Sequence, residues 1–215
     1  MTRMRRRADC SPWPALLPAI ALSLSACNSI EPTRSGFLED YASLRPDPAN
    51  GERLIQVAAT DQDWARYRTV VIDAPRIMAP GLDAAAAADL ATLLRDALRQ
   101  EFGRDRGVIS ATEATTETLR VRVAVTRVMR PIVALNVVLT AVTGPLDNGG
   151  AAAEAEILDA ASNRRLLAIS HAGVGRLDVV GYYSATHHAR AELRRFAATL
   201  AATTRPSGPF AAAAR

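Results

Sequence analysis

The residues with the widest chemical range in this 215-residue chain lie near its C-terminal end, where His187 and His188 precede Glu192. His188 and Glu192 stand four apart, on one face of a helix, and such a pair could begin a zinc site. Adjacent histidines point in different directions, however, and neither an HExxH pattern nor a third ligand at metal spacing follows. The expected role is a solvent-facing helix start. Ser170-His171 is no better as a catalytic pair, because consecutive strand residues face opposite ways and the chain has no GxSxG elbow. Gly173-Val-Gly175 and Gly181 suggest a phosphate loop, but a chain without lysine has no Walker lysine, and these glycines read as a loop between the last strand and the last helix. Glu156 and Asp159 lack a partner acid that the sequence places in a cleft. The sequence thus assigns no catalytic residue, no metal ligand and no cofactor.

One residue carries chemistry of another kind. Met1 to Arg7 forms a basic segment, Trp13 to Leu24 an apolar run interrupted by Pro14 and Pro18, and Leu24-Ser25-Ala26-Cys27 follows. The run is shorter than the roughly 20 residues a spanning helix needs, and the order is that of a secretory signal. Its end resembles a bacterial lipobox. That resemblance implies a diacylglyceryl thioether on Cys27, cleavage after Ala26, and an acyl chain such as palmitate on the freed amine. Each buried methylene contributes about 0.8 kcal/mol, so two or three chains hold a protein at a bilayer almost permanently.

Charge and cysteine content agree with this address. All 26 basic residues are arginine, and losing four of them and one acid with the signal leaves 22 against 21. A near-neutral mature chain gives no reason to expect nucleic acid as a partner. Cys10 goes with the signal and lipid occupies Cys27, so no disulfide or thiolate metal site is expected.

The remaining chain must supply the framework. The expected organisation is a signal peptide over 1–26, a lipidated cysteine and tether over 27–35, one domain over 36–204 and a disordered tail over 205–215. Phe37, Leu38, Tyr41 and Leu44 recur at helical spacing and predict a short amphipathic turn ended by Pro46 and Pro48. Arg53 to Ala58 and Thr69 to Asp73 read as strands, with Trp64 and Tyr67 at the edge of the core. Asp83 to Phe102 is the clearest helix, with Asp83 as N-cap, leucines at 90, 93, 94 and 98, and Gly103 at the C′ position. Val108 to Ser110 is a brief strand. Thr118 to Thr126 alternates, with Leu119, Val121, Val123 and Val125 on one face and Arg120, Arg122, Ala124 and Thr126 on the other. Gly149 to Ala160 is a strand with Glu154 and Glu156 on one face; it turns through Asp159 to Asn163 into a partner strand, Arg164 to His171. A last helix, capped by Ser184, runs to about Thr203. These elements predict an α+β fold, a mainly antiparallel twisted sheet covered by two helices on one face.

Two stretches allow more than one role. Arg120, Arg122, Arg127 and Arg130 form either a basic stripe for phosphates of lipid or lipopolysaccharide, or cross-strand partners of Glu154 and Glu156. Ile132 to Val142 is strongly apolar, bracketed by Pro131 and Gly144-Pro145, and too short to span a bilayer. It is either core or a surface facing a partner or the membrane.

In that order, the lipobox, SGFLEDYASLRP, RYRTVVIDAP, LRVRVAVTRV, LNVV and AAAEAEILDA resemble the bacterial lipoprotein family known as domain of unknown function 3313, over roughly Gly36 to Leu200. The turn Ala160-Ala-Ser-Asn-Arg-Arg165 departs from the more Thr- and Gly-rich turn expected there. The resemblance implies a Gram-negative envelope lipoprotein without established activity or cofactor. Asn28 after the cysteine resembles outer-membrane sorting. The expected function is a periplasm-facing, non-enzymatic module that binds an envelope protein or polymer and is tethered to the lipid bilayer through Cys27. The alternative is an envelope hydrolase or lipid carrier.

Overall fold

The computed structural model describes residues 31–47, 50–57, 62–130, 149–174 and 186–206. Cys27, Ile132 to Val142, Gly175, Gly181, Ser184 and the tail from residue 207 onward lie outside them.

The fold grows from three long neighbouring strands, β6 (Thr118–Met129), β7 (Gly150–Asp159) and β8 (Arg165–Val174), which run as an antiparallel meander. Asp159 makes the β7–β8 turn by accepting hydrogen bonds from the amides of Ala161 and Ser162 and from the Ser162 hydroxyl, while Asn163 takes the left-handed conformation at φ 55°. β2 (Asn50–Val57) adds antiparallel to β8, and β1 (Arg45–Asp47) pairs with β2 at one edge. Pro46 sits on this edge strand, where its missing N–H costs no ladder bond.

The other edge of the sheet is parallel. β3 (Thr69–Ile72) lies between β6 and β5 (Gly107–Val108) and runs parallel to both, and β4 (Arg76–Ile77) pairs parallel with β6. The sheet order is β1-β2-β8-β7-β6-β3-β5, with β4 also on β6. The α+β class therefore holds, and the sheet is mostly antiparallel with a parallel part: among the described residues four pairings, the long ladders included, are antiparallel and three short ones parallel. The reason is the crossover. Parallel neighbours need a long connection, and α1 (Ala84–Phe102) supplies it between β3 and β5.

In α1, Asp83 caps the N-terminus through Ala86 N at 2.7 Å, and Leu90, Leu93, Leu94, Leu98 and Phe102 form the buried stripe. Gly103 ends the helix as its C-cap with φ −66°, so the expected left-handed C′ glycine is absent. Glycine fits here because a Cβ would stand 2.6 Å from the Arg99 carbonyl oxygen. The second helix, α2 (His187–Thr203), starts from Thr186 and buries Ala189, Leu193, Phe196, Leu200 and Ala201. Buried side chains of both helices share one cluster with Leu119, Val121, Val123 and Val125 of β6, Ala153 and Ile157 of β7, and Leu167 and Ile169 of β8. Trp64 and Tyr67, each 2% exposed, lie inside this cluster rather than at its edge.

Alternate residues of the same strands face the other way. Ala124 and Ala168 form a second cluster with Phe37, Leu38 and Leu44. The segment carrying these residues does not form the predicted helical turn. Its backbone bends, with Gly36 at φ 85°, and the Tyr41 hydroxyl accepts from the amides of Gly36 at 2.9 Å and Leu38 at 3.2 Å. The Tyr41 hydroxyl thus satisfies amides at the start of the segment, and the regular structure is limited to one turn bond, Leu44 N to the Tyr41 carbonyl at 3.2 Å. At the far end Arg205 remains tied to the domain, with its Nε 2.7 Å from Asp105.

Candidate functional site

β7 is buried along its whole length although its sequence is GAAAEAEILD. A carboxylate on such a strand requires partners, because an ionised group without them is costly to bury. Glu154 is completely buried on the side of the sheet away from the helices. In register it opposes Ala124 of β6 and Ser170 of β8. Among the described residues its four hydrogen bonds come from the chain that precedes β1. Thr33 Oγ1 and Ser35 N donate to Oε1 at 2.8 and 2.9 Å, and Ser35 Oγ and Tyr41 Oη donate to Oε2 at 2.9 and 2.6 Å. Because the Thr33 hydroxyl donates to Glu154, the Thr126 hydroxyl donates to Thr33, at 2.6 Å. Ser170 Oγ donates to the Thr33 carbonyl at 2.8 Å. Thr33 therefore touches β6, β7 and β8 at once. Burial, followed by the bond to Glu154, raises the Tyr41 pKa above its ordinary value and keeps the phenol a donor.

The arginines beside Glu154 pair elsewhere. Arg122 opposes Glu156 and meets it at 2.5 Å, one of the two ion pairings expected between these strands. Burial raises the Glu156 pKa, and Arg122, then Arg165, oppose the rise. Arg120 opposes Leu158 and instead holds Asp73 at the end of β3 through Nε and Nη2 at 3.0–3.1 Å. Arg130 donates to the Gly81 carbonyl. The basic stripe is thus largely occupied within the fold. Phe37 lies beneath the Arg122 guanidinium, 5.8 Å from ring centre to Cζ.

Asp159 is a structural turn residue. Its burial works to raise the pKa, but hydrogen bonds from the Ser162 amide and hydroxyl, Tyr67 Oη and the Ala161 amide hold the carboxyl below its usual value.

On the helix side, His171 and Glu192 meet. His171 Nε2 lies 2.6 Å from Glu192 Oε1, Arg195 pairs with Oε2, and the imidazole stacks on Phe196 at 5.5 Å. Ser170 and His171 do face opposite sides of β8, one toward Thr33 and the other toward Glu192. The solvent-facing role expected for His188 and Glu192 is overturned: they are 2% and 4% exposed, because this stripe of α2 faces the sheet. Gly173 is likewise a residue of β8 rather than of a loop. A Cβ there would lie 2.3 Å from the Glu192 carboxylate, so glycine makes room for the helix acid. Among the described residues no group of three or more His, Cys, Asp or Glu could hold a metal ion.

An open groove of about 520 Å³ lies between the outer faces of the helices, with Asp89, Asp96 and Glu101 from α1 and Arg190 and Arg194 from α2. Arg190 pairs with Asp89 across it. Near the other end of α2, buried Arg106 donates to the carbonyls of Tyr67 and Thr204. Burial lowers its pKa.

Sequence reasoning missed the Glu154 cluster because Thr33, Ser35 and Tyr41 stand more than 110 positions away. The one available signal was the carboxylate itself, set among alanines.

Among the described residues no helix is long and apolar enough to cross a membrane. No curated protein matches the chain. Similar solved structures include the PelC dodecamer from Paraburkholderia phytofirmans, 12% identical, with 68% of this chain and 94% of that one covered at a TM-score of 0.43. Protein XCC0632 from Xanthomonas campestris is 11% identical, with 63% and 81% covered at 0.39. Lipoprotein GNA1162 from Neisseria meningitidis is 11% identical, with 54% and 90% covered at 0.34. Likeness at this level carries no functional argument. The family model described as protein of unknown function DUF3313 matches residues 33–200, starting at the threonine that meets Glu154, and the chain belongs to that family.

Proposed function

We propose that this protein is a lipoprotein of the bacterial cell envelope, anchored through acylated Cys27, facing the periplasm, and acting as a non-enzymatic binding or scaffolding module. Asn28 favours the outer membrane. One observation carries the reading: the segment that follows the lipobox is fastened to a fully buried carboxylate of the central strand. A domain held by its N-terminus needs that end secured, and uncharged hydroxyl and amide donors secure it without a competing ion pair. Apolar Ile132 to Val142 is the proposed partner-facing or membrane-facing stretch.

Metabolic labelling with a clickable fatty acid tests the anchor. Wild-type protein should label and fractionate with membranes, and Cys27→Ala should do neither; equal labelling of the two would refute the reading. For the stretch, Val138→Asp should leave stability unaltered and weaken partner or liposome binding, whereas unfolding would return the run to the core. The alternative, an envelope hydrolase or lipid carrier, is favoured by the His171–Glu192 pair, in which a carboxylate orients an imidazole as a general base requires. Hydrolysis of ester substrates that disappears in His171→Gln would support it.

A further inference from the structure

We infer that the strap from Thr33 to Leu44 sets the orientation of the domain on the bilayer, with the Glu154 face turned toward lipid and α1 and α2 turned away from it. The inference rests on the anchor proposed at Cys27. Thr33 is held to Thr126, Glu154 and Ser170 on the three adjacent strands β6, β7 and β8. β7 is the middle strand of the seven-strand path, so the chain reaches the sheet at its centre, on the face away from the helices.

Covalent geometry then limits the poses. Six residue steps separate Cys27 from Thr33, and at roughly 3.3–3.6 Å each they span at most about 20 Å. For the helices to face the lipid, those six steps would have to pass around the domain. Either sheet edge lies three strand spacings away, about 14 Å. Glu154 is also central along β7, about 15 Å from either strand end at ~3.4 Å per residue. Beyond the edge the chain would still have to clear a helix layer about 10 Å thick. The path comes to roughly 25 Å or more by these spacings, longer than the tether. With the strap face toward lipid, no detour is needed.

The strap makes this constraint effective. Released as far as Arg45, it would extend the tether to about 18 steps, or roughly 60 Å, enough to permit every orientation. The Glu154 hydrogen bonds, together with Phe37, Leu38 and Leu44 on Ala124 and Ala168, convert a flexible leash into a short one.

The mature chain has no cysteine besides Cys27, so single labels can be placed cleanly in the full-length lipidated protein. Glu39→Cys marks the strap and Gln100→Cys marks α1; both positions are exposed. Each variant, carrying a fluorophore, is reconstituted into phosphatidylethanolamine/phosphatidylglycerol vesicles containing a headgroup-borne paramagnetic quencher. Quenching should be at least twofold stronger at position 39 than at position 100. Combining the labels with Thr33→Val, Ser35→Ala and Tyr41→Phe should bring the ratio toward one. Equal or reversed quenching in the otherwise wild-type protein would overturn the orientation, and an unchanged ratio in the triple variant would overturn the role of the strap. Failure of the lipidated protein to float with the vesicles would instead refute the anchor, and the inference with it.

Discussion

Replacing Tyr41 by phenylalanine removes one oxygen and leaves the ring. That oxygen donates to Glu154 Oε2 at 2.6 Å and accepts from the amides of Gly36 and Leu38. A hydrogen bond to a charged group contributes about 1.5–3 kcal/mol, and a neutral one about 0.5–1.5 kcal/mol. Gly36 is exposed, so water replaces the acceptor its amide loses. Glu154 is fully buried but keeps three of its four donors. The charged bond therefore dominates, and the expected loss is about 2 kcal/mol. For a domain of this size that lowers Tm by about 4–8 °C. Urea denaturation of the unlipidated chain measures the loss, and hydrogen exchange at the Gly36 and Leu38 amides shows whether it originates in the strap. Crossing Tyr41→Phe with Glu154→Gln should reveal a coupling of about 1 kcal/mol or more. A loss below about 0.5 kcal/mol, ordinary for a surface substitution, or additive effects in the cycle, would refute the claim that the carboxylate holds the strap.

Further predictions concern the neighbouring charges. A double-mutant cycle on Arg122 and Glu156 should give a coupling of roughly 0.2–1 kcal/mol, small because Arg122 is 38% exposed, whereas Arg120 and Glu154 should show none. The raised pKa of Glu156 makes its contribution to stability complete below the ordinary value of 4.5 and lost as pH rises through the folded value; Glu156→Gln should remove that loss from the pH–stability profile measured by urea midpoints. Asp159, held below its ordinary value, acts in the opposite sense: its contribution is present above 3.8 and lost as pH falls through the folded value, and Asp159→Asn should flatten that acid limb. Gly173→Ala should cost about 1–3 kcal/mol by thermal denaturation, because the new methyl collides with a carboxylate held by His171 and Arg195.

Local chemistry was enough to define the elements that carry their own signals. Asp83 and the leucine stripe specify α1, period-two alternation specifies β6, and the Asp159 turn specifies the β7–β8 hairpin, because each depends on residues within one helical turn or one strand pair. The address proposed at Leu24 to Cys27 likewise rests on contiguous residues. Even the Arg122–Glu156 pairing was readable in outline, since two charges on each strand share a face. Other features depended on which strands become neighbours. The parallel edge of the sheet follows from α1 carrying the chain from β3 to β5, and β2 finds its place against β8 more than 100 residues later in the sequence. His188 and Glu192 looked like solvent residues because a helical pattern gives the spacing of a face but not what that face meets. GFLEDYASL reads as a helix by its apolar spacing, yet it bends as a strap because Glu154, brought to the centre of the sheet by the β6–β7–β8 meander, draws Thr33, Ser35 and Tyr41 onto one carboxylate. A buried charge must find its donors wherever in the chain they lie, and only the folded sheet determines which donors come within reach.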